Sequence, residues 1–132
     1  MGETSYRAVL VTSHDSASIR LAQKAAKDQL SAADAIELVS PLLGGLTNNC
    51  LTFVISPDGS KAGWATSQKV NEAVHAFLGW LEDHRYELHL TWVEVVYGDY
   101  REDSSDTHAG DARVTDSTGM AFHRVDVKAG EF

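Results

Sequence analysis

The order of the patterned segments constrains the fold of this chain more than any other feature of its sequence. Strands are predicted where apolar residues alternate or run continuously, and helices where they recur every three or four positions. These patterns follow one another in the order strand, helix, strand, strand, helix, strand. In chain order the predicted segments are Tyr6–Thr12, Ser16–Leu30, Ala35–Leu43, Leu51–Ser56, Ser67–His84 and Tyr86–Tyr97.

This order is that of the βαββαβ, or ferredoxin-like, arrangement. We therefore expect an α+β domain over residues 1–99, in which an antiparallel sheet carries two helices on one face. The last strand alternates Leu90 and Trp92 with Val93 and Val95, so both of its faces are apolar. One face is expected to lie under the helices and the other to meet a partner or the C-terminal segment.

Residues 100–132 are interpreted as a polar tail. Asp, Ser, Thr and Gly dominate Asp99–Gly119, a composition that is typical of a mobile segment. Strand character returns at residues 120–127. We predict that this stretch is an edge strand, added either to its own sheet or to the sheet of another subunit.

The chain is acidic, with 19 Asp and Glu residues against 11 Lys and Arg residues and a formal net charge of −8. Nucleic acids and anionic membranes are bound through clusters of basic residues, so direct binding to either is disfavoured. A basic protein partner is compatible with this charge, although an acidic surface also simply promotes solubility.

Cysteine content and hydropathy indicate the compartment. The single cysteine, Cys50, cannot form an internal disulfide, and residues 1–7 do not resemble a secretory signal. No apolar run approaches the length that spans a membrane. A cytoplasmic protein is therefore predicted.

The predicted topology brings distant polar residues to one end of the sheet. In a strand order of 4-1-3-2, three features lie side by side: the end of the first strand, the turn between the second and third strands, and the start of the fourth strand. We treat this end as a candidate ligand-binding region. Its residues are His14, Asp15, Asn48, Asn49, His84 and Arg85.

The chemistry of this end has several interpretations. A helix that begins near Asp15 offers free amide groups to an anion, and the adjacent His14 belongs to the residue type that most often changes charge near neutral pH in proteins. The simpler interpretation, which we favour, is that Asp15 or Ser16 caps the helix. His14, His84 and Asp15 are also candidate metal ligands, but no H-E-x-x-H or C-x-x-C spacing supports a metal. We predict no metal and no cofactor, and the chain has no catalytic motif that would favour an enzyme.

Several short motifs are distributed between Tyr6 and Asp99. They are Thr12-Ser13-His14-Asp15-Ser16, Val39-Ser40-Pro41, Gly44-Gly45-Leu46-Thr47-Asn48, Pro57-Asp58-Gly59-Ser60-Lys61, Gly63-Trp64, Trp92-Val93-Glu94-Val95 and Tyr97-Gly98-Asp99. Together these motifs resemble small uncharacterised proteins of bacteria and their phages. The resemblance implies no particular activity, and it favours a phage or prophage accessory protein.

Three functions are compatible with the sequence. We favour a small acidic protein that binds another protein as an accessory factor or inhibitor. Trp64 is its candidate interface residue, because the core does not explain this tryptophan and aromatic residues are enriched at interfaces. The second function is an enzyme or small-ligand binder that uses His14 and Asp15. The third is a structural homodimer joined through the open face of the sheet.

Overall fold

The computed structural model describes residues 5–59, 65–98, 108–116 and 123–128. Over these residues the chain has an α+β fold, and the predicted order of strands and helices is confirmed for its first six main elements. The elements are β1 (Ser5–Ser13), α1 (Ser16–Ser31), a 3₁₀ helix (Ile36–Leu38), β2 (Leu43–Gly44), β3 (Leu51–Ile55), α2 (Ala65–Asp83), β4 (Thr91–Gly98), β5 (His108–Asp116) and β6 (His123–Lys128).

The strands form one antiparallel sheet in the order β2-β3-β1-β4-β5-β6. The first four of these strands have the predicted ferredoxin-like order, with β1 between β3 and β4. Ser13 at the end of β1 pairs with Leu51 at the start of β3, and Thr12 pairs with Thr91 at the start of β4. The three strand ends expected to share one end of the sheet therefore do so.

The core lies between one face of the sheet and the two helices, which pack against each other. Phe53 on β3 and Phe77 on α2 are fully buried, and their ring centroids are 6.2 Å apart. Val9 and Val11 of β1 contribute to the same cluster, since they are paired with Ile55 and Phe53 across the ladder. Alternation along the strands thus directs one set of apolar residues toward the helices.

The predicted second strand at Ala35–Leu43 is wrong over most of its length. Ile36–Leu38 forms a 3₁₀ helix, and pairing with β3 is limited to an isolated bridge between Val39 and Ile55 and to the two residues of β2. The physical reason is that Pro41 has no amide hydrogen to donate to a ladder, which interrupts the strand.

The last predicted strand begins later than its pattern indicated. We expected it at Tyr86–Tyr97, but β4 begins at Thr91. The preceding residues form turns, in which the amides of Glu87 and Leu88 both donate to the carbonyl oxygen of His84 at 3.0 Å. Amides used within a turn are not available to a neighbouring strand.

The sheet continues into the region that was expected to be a polar tail. Within Asp99–Gly119, where composition predicted a mobile segment, residues 108–116 form β5 and pair with β4. β6 overlaps the predicted edge strand at 120–127 and occupies the edge of this sheet. Composition alone misses β5 because Asp, Thr and Gly, which are frequent in its sequence, are more typical of a loop than of a strand.

Candidate functional site

A closed set of hydrogen bonds forms where β1 meets α1. The buried hydroxyl of Ser13 accepts from the amide of Asp15 at 2.9 Å and donates to the carbonyl oxygen of His89. The buried hydroxyl of Ser18 accepts from the amide of His89 at 3.2 Å and donates to Asp15 Oδ2 at 2.6 Å. The two serines therefore hold the loop before β4 against the start of α1.

His14 extends this polar region toward the turn between β2 and β3. Its Nδ1 atom lies 3.0 Å from the carbonyl oxygen of Asn48, so the structure brings these two predicted site residues together. Asn48 and Asn49 have φ angles of 59° and 57°. Asparagine tolerates this left-handed conformation better than most residues, so a tight turn explains both asparagines without a ligand.

An open depression of about 670 Å³ lies at the same end of the sheet. His14, Asp15 and His89 are its titratable lining residues. His89 lines this depression but was not among the predicted site residues, because a single histidine in a strand-like pattern forms no motif that marks a site. Asp15 and His89 are far apart in the chain and form no recognisable motif. Only the fold brings the two residues together.

Asp15 occupies the N-cap position of α1, and its environment favours the carboxylate. The hydrogen bond from the Ser18 hydroxyl lowers the pKa of Asp15 below its ordinary value of 3.8. Partial burial acts in the opposite direction, and the nearby His89 adds a smaller lowering effect. The carboxylate of Asp15 is thus a structural hydrogen-bond acceptor at neutral pH.

This lowered pKa predicts a pH dependence of stability. The contribution of Asp15 should be fully present above about pH 3.8, the ordinary pKa, and should be lost as the pH falls through the lower folded value. We therefore expect Asp15→Asn to be less stable than the wild type at pH 7, and the difference to shrink below pH 4. Urea unfolding at several pH values measures this effect, with Asp83→Asn as a control of equal charge change. A difference that is independent of pH would contradict the prediction.

His84 contacts the last turns of α2, whereas Arg85 contacts both α2 and the adjacent Tyr86, whose ring centroid lies 5.4 Å from the guanidinium carbon. His84 Nδ1 lies 2.8 Å from the carbonyl oxygen of Trp80, and the two rings stack with centroids 4.2 Å apart. Arg85 forms an ion pair with Glu82 at 2.9 Å. Neither His84 nor Arg85 lines the depression beside His14. A ligand role for these two residues stays a prediction.

No group of three or more His, Cys, Asp or Glu side chains suited to a metal ion occurs within residues 5–59, 65–98, 108–116 and 123–128. Neither α1 nor α2, the two described α-helices, is long and apolar enough to cross a membrane.

Trp64, the predicted interface residue, lies outside the described residues.

The sheet face opposite the helices is apolar and is not covered by either described helix. We call this surface, formed by alternate residues of β1, β3 and β4, the open face. Tyr6 and Tyr97 lie at one end of it, with ring centroids 5.2 Å apart, and the Thr12 and Thr52 hydroxyl oxygens lie 2.8 Å apart at the other. The residues between them are Ala8, Leu10, Val54, Val93 and Val95.

The open face is accessible in its centre and at one end. Leu10 is 38% exposed and Tyr97 is 39% exposed, whereas Val9 and Val11, which flank Leu10 in the chain, are completely buried. None of the described open-face positions in β1, β3 and β4 is charged. A contiguous apolar surface of this kind is typical of a protein interaction site.

Comparison with known proteins found no match to this chain among family models, curated proteins or solved structures.

Proposed function

We propose that this protein functions by binding another protein through the open face, as an accessory factor or an inhibitor. The observation that supports this most directly is the exposure of Leu10 and Tyr97 on a sheet face whose positions in β1, β3 and β4 are uncharged. Removing such a face from water is favourable by about 25 cal/mol per Å² of apolar area. A partner protein that packs against the open face would remove this apolar area from water.

The polar end of the sheet gives weaker support to an enzyme or ligand-binding role. Both serine hydroxyls and the backbone amide and carbonyl of His89 are already engaged in hydrogen bonds with one another or with Asp15. Such a self-contained network explains its residues as a link between two chain segments. Ligand binding by His14 or Asp15 stays a prediction, as does a phage or prophage origin of the protein.

Site-specific photo-crosslinking tests the proposed function. A photoreactive residue replaces Leu10 on the open face or, as a matched control, Leu21 on α1, which is 48% exposed. We expect the Leu10 variant, in an extract of the native host, to form a crosslinked product that contains a second protein chain. The Leu21 variant should form little of this crosslinked product, because Leu21 lies on the solvent-exposed side of α1, away from the open face.

The crosslinking result has a clear negative outcome. No product from the Leu10 variant, or equal yields of the same product from the Leu10 and Leu21 variants, would show that the open face is not the binding surface. Circular dichroism of both purified variants provides the control for folding.

A further inference from the structure

We propose that the β5–β6 hairpin is a strap that detaches from β4 as one unit while β1, β3 and the two helices stay folded. Its detachment takes away the ladder partner of β4 and exposes the edge of that strand. This behaviour is independent of the proposed function, because it depends on backbone pairing and not on what binds the open face. Three observations lead to it: the position of the hairpin in the sheet, its pairing with the neighbouring strands, and the burial of side chains along β4.

The hairpin lies beyond the part of the sheet that the two helices cover. α1 contacts β1 and β3, and α2 packs on β3 through the rings of Phe77 and Phe53. Two helices side by side, each about 10 Å across, are about as wide as four strands spaced about 4.8 Å apart. In the strand order β2-β3-β1-β4-β5-β6, the first four strands fill that width, and β5 and β6 lie outside it.

Pairing joins the hairpin to the rest of the described chain through one short ladder. β5 pairs with β4 at five positions, Val93–Tyr97 against Ala112–Asp116. β6 occupies the edge of the sheet and pairs with β5. The beginning of β5 extends past the β4 ladder, since His108 pairs with Lys128 of β6 and the described pairing of β5 with β4 starts only at Ala112.

A connection of this kind makes the hairpin dependent on β4. An isolated two-stranded hairpin is at best marginally stable in water, and a third strand or a helix is needed to support it. Among the described elements, β4 is the strand that pairs with the hairpin and supplies this support. Separation of β5 from β4 is therefore expected to unfold β5 and β6 together.

Burial of the described side chains declines from β1 to β4, the strand next to the hairpin. Val9, on the helix side of β1, is completely buried. On the same side of β4, Trp92 is buried at the start of the strand, whereas Val96 is only half-buried. Glu94 pairs there with Arg7 at 3.1 Å, and the two side chains are 15% and 32% exposed. Charged side chains are seldom placed in the centre of a core, so this ion pair marks its margin.

Detachment of the hairpin therefore leaves the core in place. Opening the ladder between β4 and β5 breaks backbone hydrogen bonds, whereas unfolding β3 also exposes the buried rings of Phe53 and Phe77 to water. Segments with less buried apolar contact open at a lower free energy than the whole domain. The opened edge of β4 then presents unpaired N–H and C=O groups, to which an extended segment of another chain can add as a strand.

Native-state hydrogen exchange of the purified full chain, followed by NMR in increasing urea below the unfolding transition, tests this behaviour. We expect the bonded amides of β5 and β6 to have protection factors at least about 100-fold lower than those of β1 and β3, because their opening costs less free energy. Their exchange should depend weakly on urea, since detachment exposes little surface. The β4 amides that bond to β5 should show the same weak dependence on urea.

Two results of this measurement would overturn the proposal. Equal protection and equal urea dependence for β5 and β3 would show that the hairpin opens only when the whole domain unfolds. Low protection in β6 together with protection in β5 equal to that of β3 would show fraying of the edge strand and not detachment of the hairpin. β5 is informative because it lies between β4 and β6, so low protection there does not arise from an edge position.

A reversible disulfide between β4 and β5 provides a matched control. Val95→Cys and Val114→Cys, in a Cys50→Ser background, place cysteines at paired positions. Paired Cα atoms of antiparallel strands are about 4.5–5.5 Å apart, within the range that a disulfide spans. Oxidation should raise the protection of β5 at least about 10-fold, because the ladder can no longer open, and reduction should reverse this rise. Leu10→Cys with Val54→Cys in the same background joins β1 to β3 instead and should leave the protection of β5 unchanged.

The two disulfides separate detachment of the hairpin from global unfolding. Protection of β5 that is the same in the oxidised and reduced forms of the β4–β5 variant would overturn the proposal. So would an equal rise in β5 protection from the β1–β3 disulfide, because β5 would then open only with the core. Failure of the β4–β5 disulfide to form would contradict the register on which detachment depends.

Discussion

Replacing Phe77 by alanine is expected to lower the free energy of unfolding by about 3–5 kcal/mol, as for other large aromatic residues deleted from a core. Phe77 is fully buried on α2. Its ring contacts Phe53 on β3 and stacks with Trp80, at centroid distances of 6.2 Å and 6.1 Å. The substitution therefore leaves a cavity at the contact between α2 and the sheet. With a total stability of about 5–15 kcal/mol typical of such domains, this loss is a large fraction.

Urea unfolding followed by circular dichroism measures this loss. Leu46→Ala is the matched control, since Leu46 is also a large apolar residue but is 102% exposed. We expect Leu46→Ala to change stability by less than about 0.5 kcal/mol. Equal unfolding midpoints for Phe77→Ala and the wild type would show that α2 does not pack on the sheet as described.

Replacing Ser18 by alanine is expected to cost about 1–3 kcal/mol, the penalty for leaving a buried polar group without its partner. The Ser18 hydroxyl, in a residue only 2% exposed, donates to Asp15 and accepts from the amide of His89. Its removal leaves that amide without this acceptor. The loop before β4 should then be held less firmly against the start of α1, and hydrogen exchange of the His89 amide should accelerate.

The control for Ser18→Ala is Ser16→Ala, in the same turn of α1. Ser16 is exposed and accepts a hydrogen bond from Arg20 Nε at 3.1 Å. Both substitutions change helix propensity by the same amount, so the difference between them isolates the buried hydrogen bonds. An equal effect of the two substitutions, measured by urea unfolding, would contradict a structural role for the Ser18 network.

Part of the polar end was predictable from the sequence, and the reason is topological. Once β1 is central and antiparallel to β3 and β4, His14 must be close to the turn that contains Asn48, and a 3.0 Å contact joins them. The participation of His89 was not predictable. It depends on where β4 begins, and that boundary is determined by the turns after α2 and by the serines that hold the His89 backbone.

The second strand shows a similar limit. Ile36–Val39 has a strand pattern, but the pattern records only which residues are apolar. In the structure the amides of Leu38 and Val39 donate to carbonyl oxygens three residues earlier, so Ile36–Leu38 forms a 3₁₀ helix and joins no ladder before the bridge at Val39. Short apolar segments beside a proline are therefore the places where periodicity is least informative.

By itself the sequence determined the α+β class, the order of the first six strands and helices, and the presence of apolar residues on both faces of β4. These properties depend on the periodicity of apolar residues along the chain. That periodicity does not depend on which distant segments pack against a residue. Only the tertiary structure decided that β5 joins the sheet, that Ser13 and Ser18 hold the His89 backbone, and that Leu10 belongs to an exposed apolar face while Val9 and Val11 are buried. The physical reason is that pairing, burial and exposure depend on neighbours distant in the chain, and folding alone brings those neighbours together.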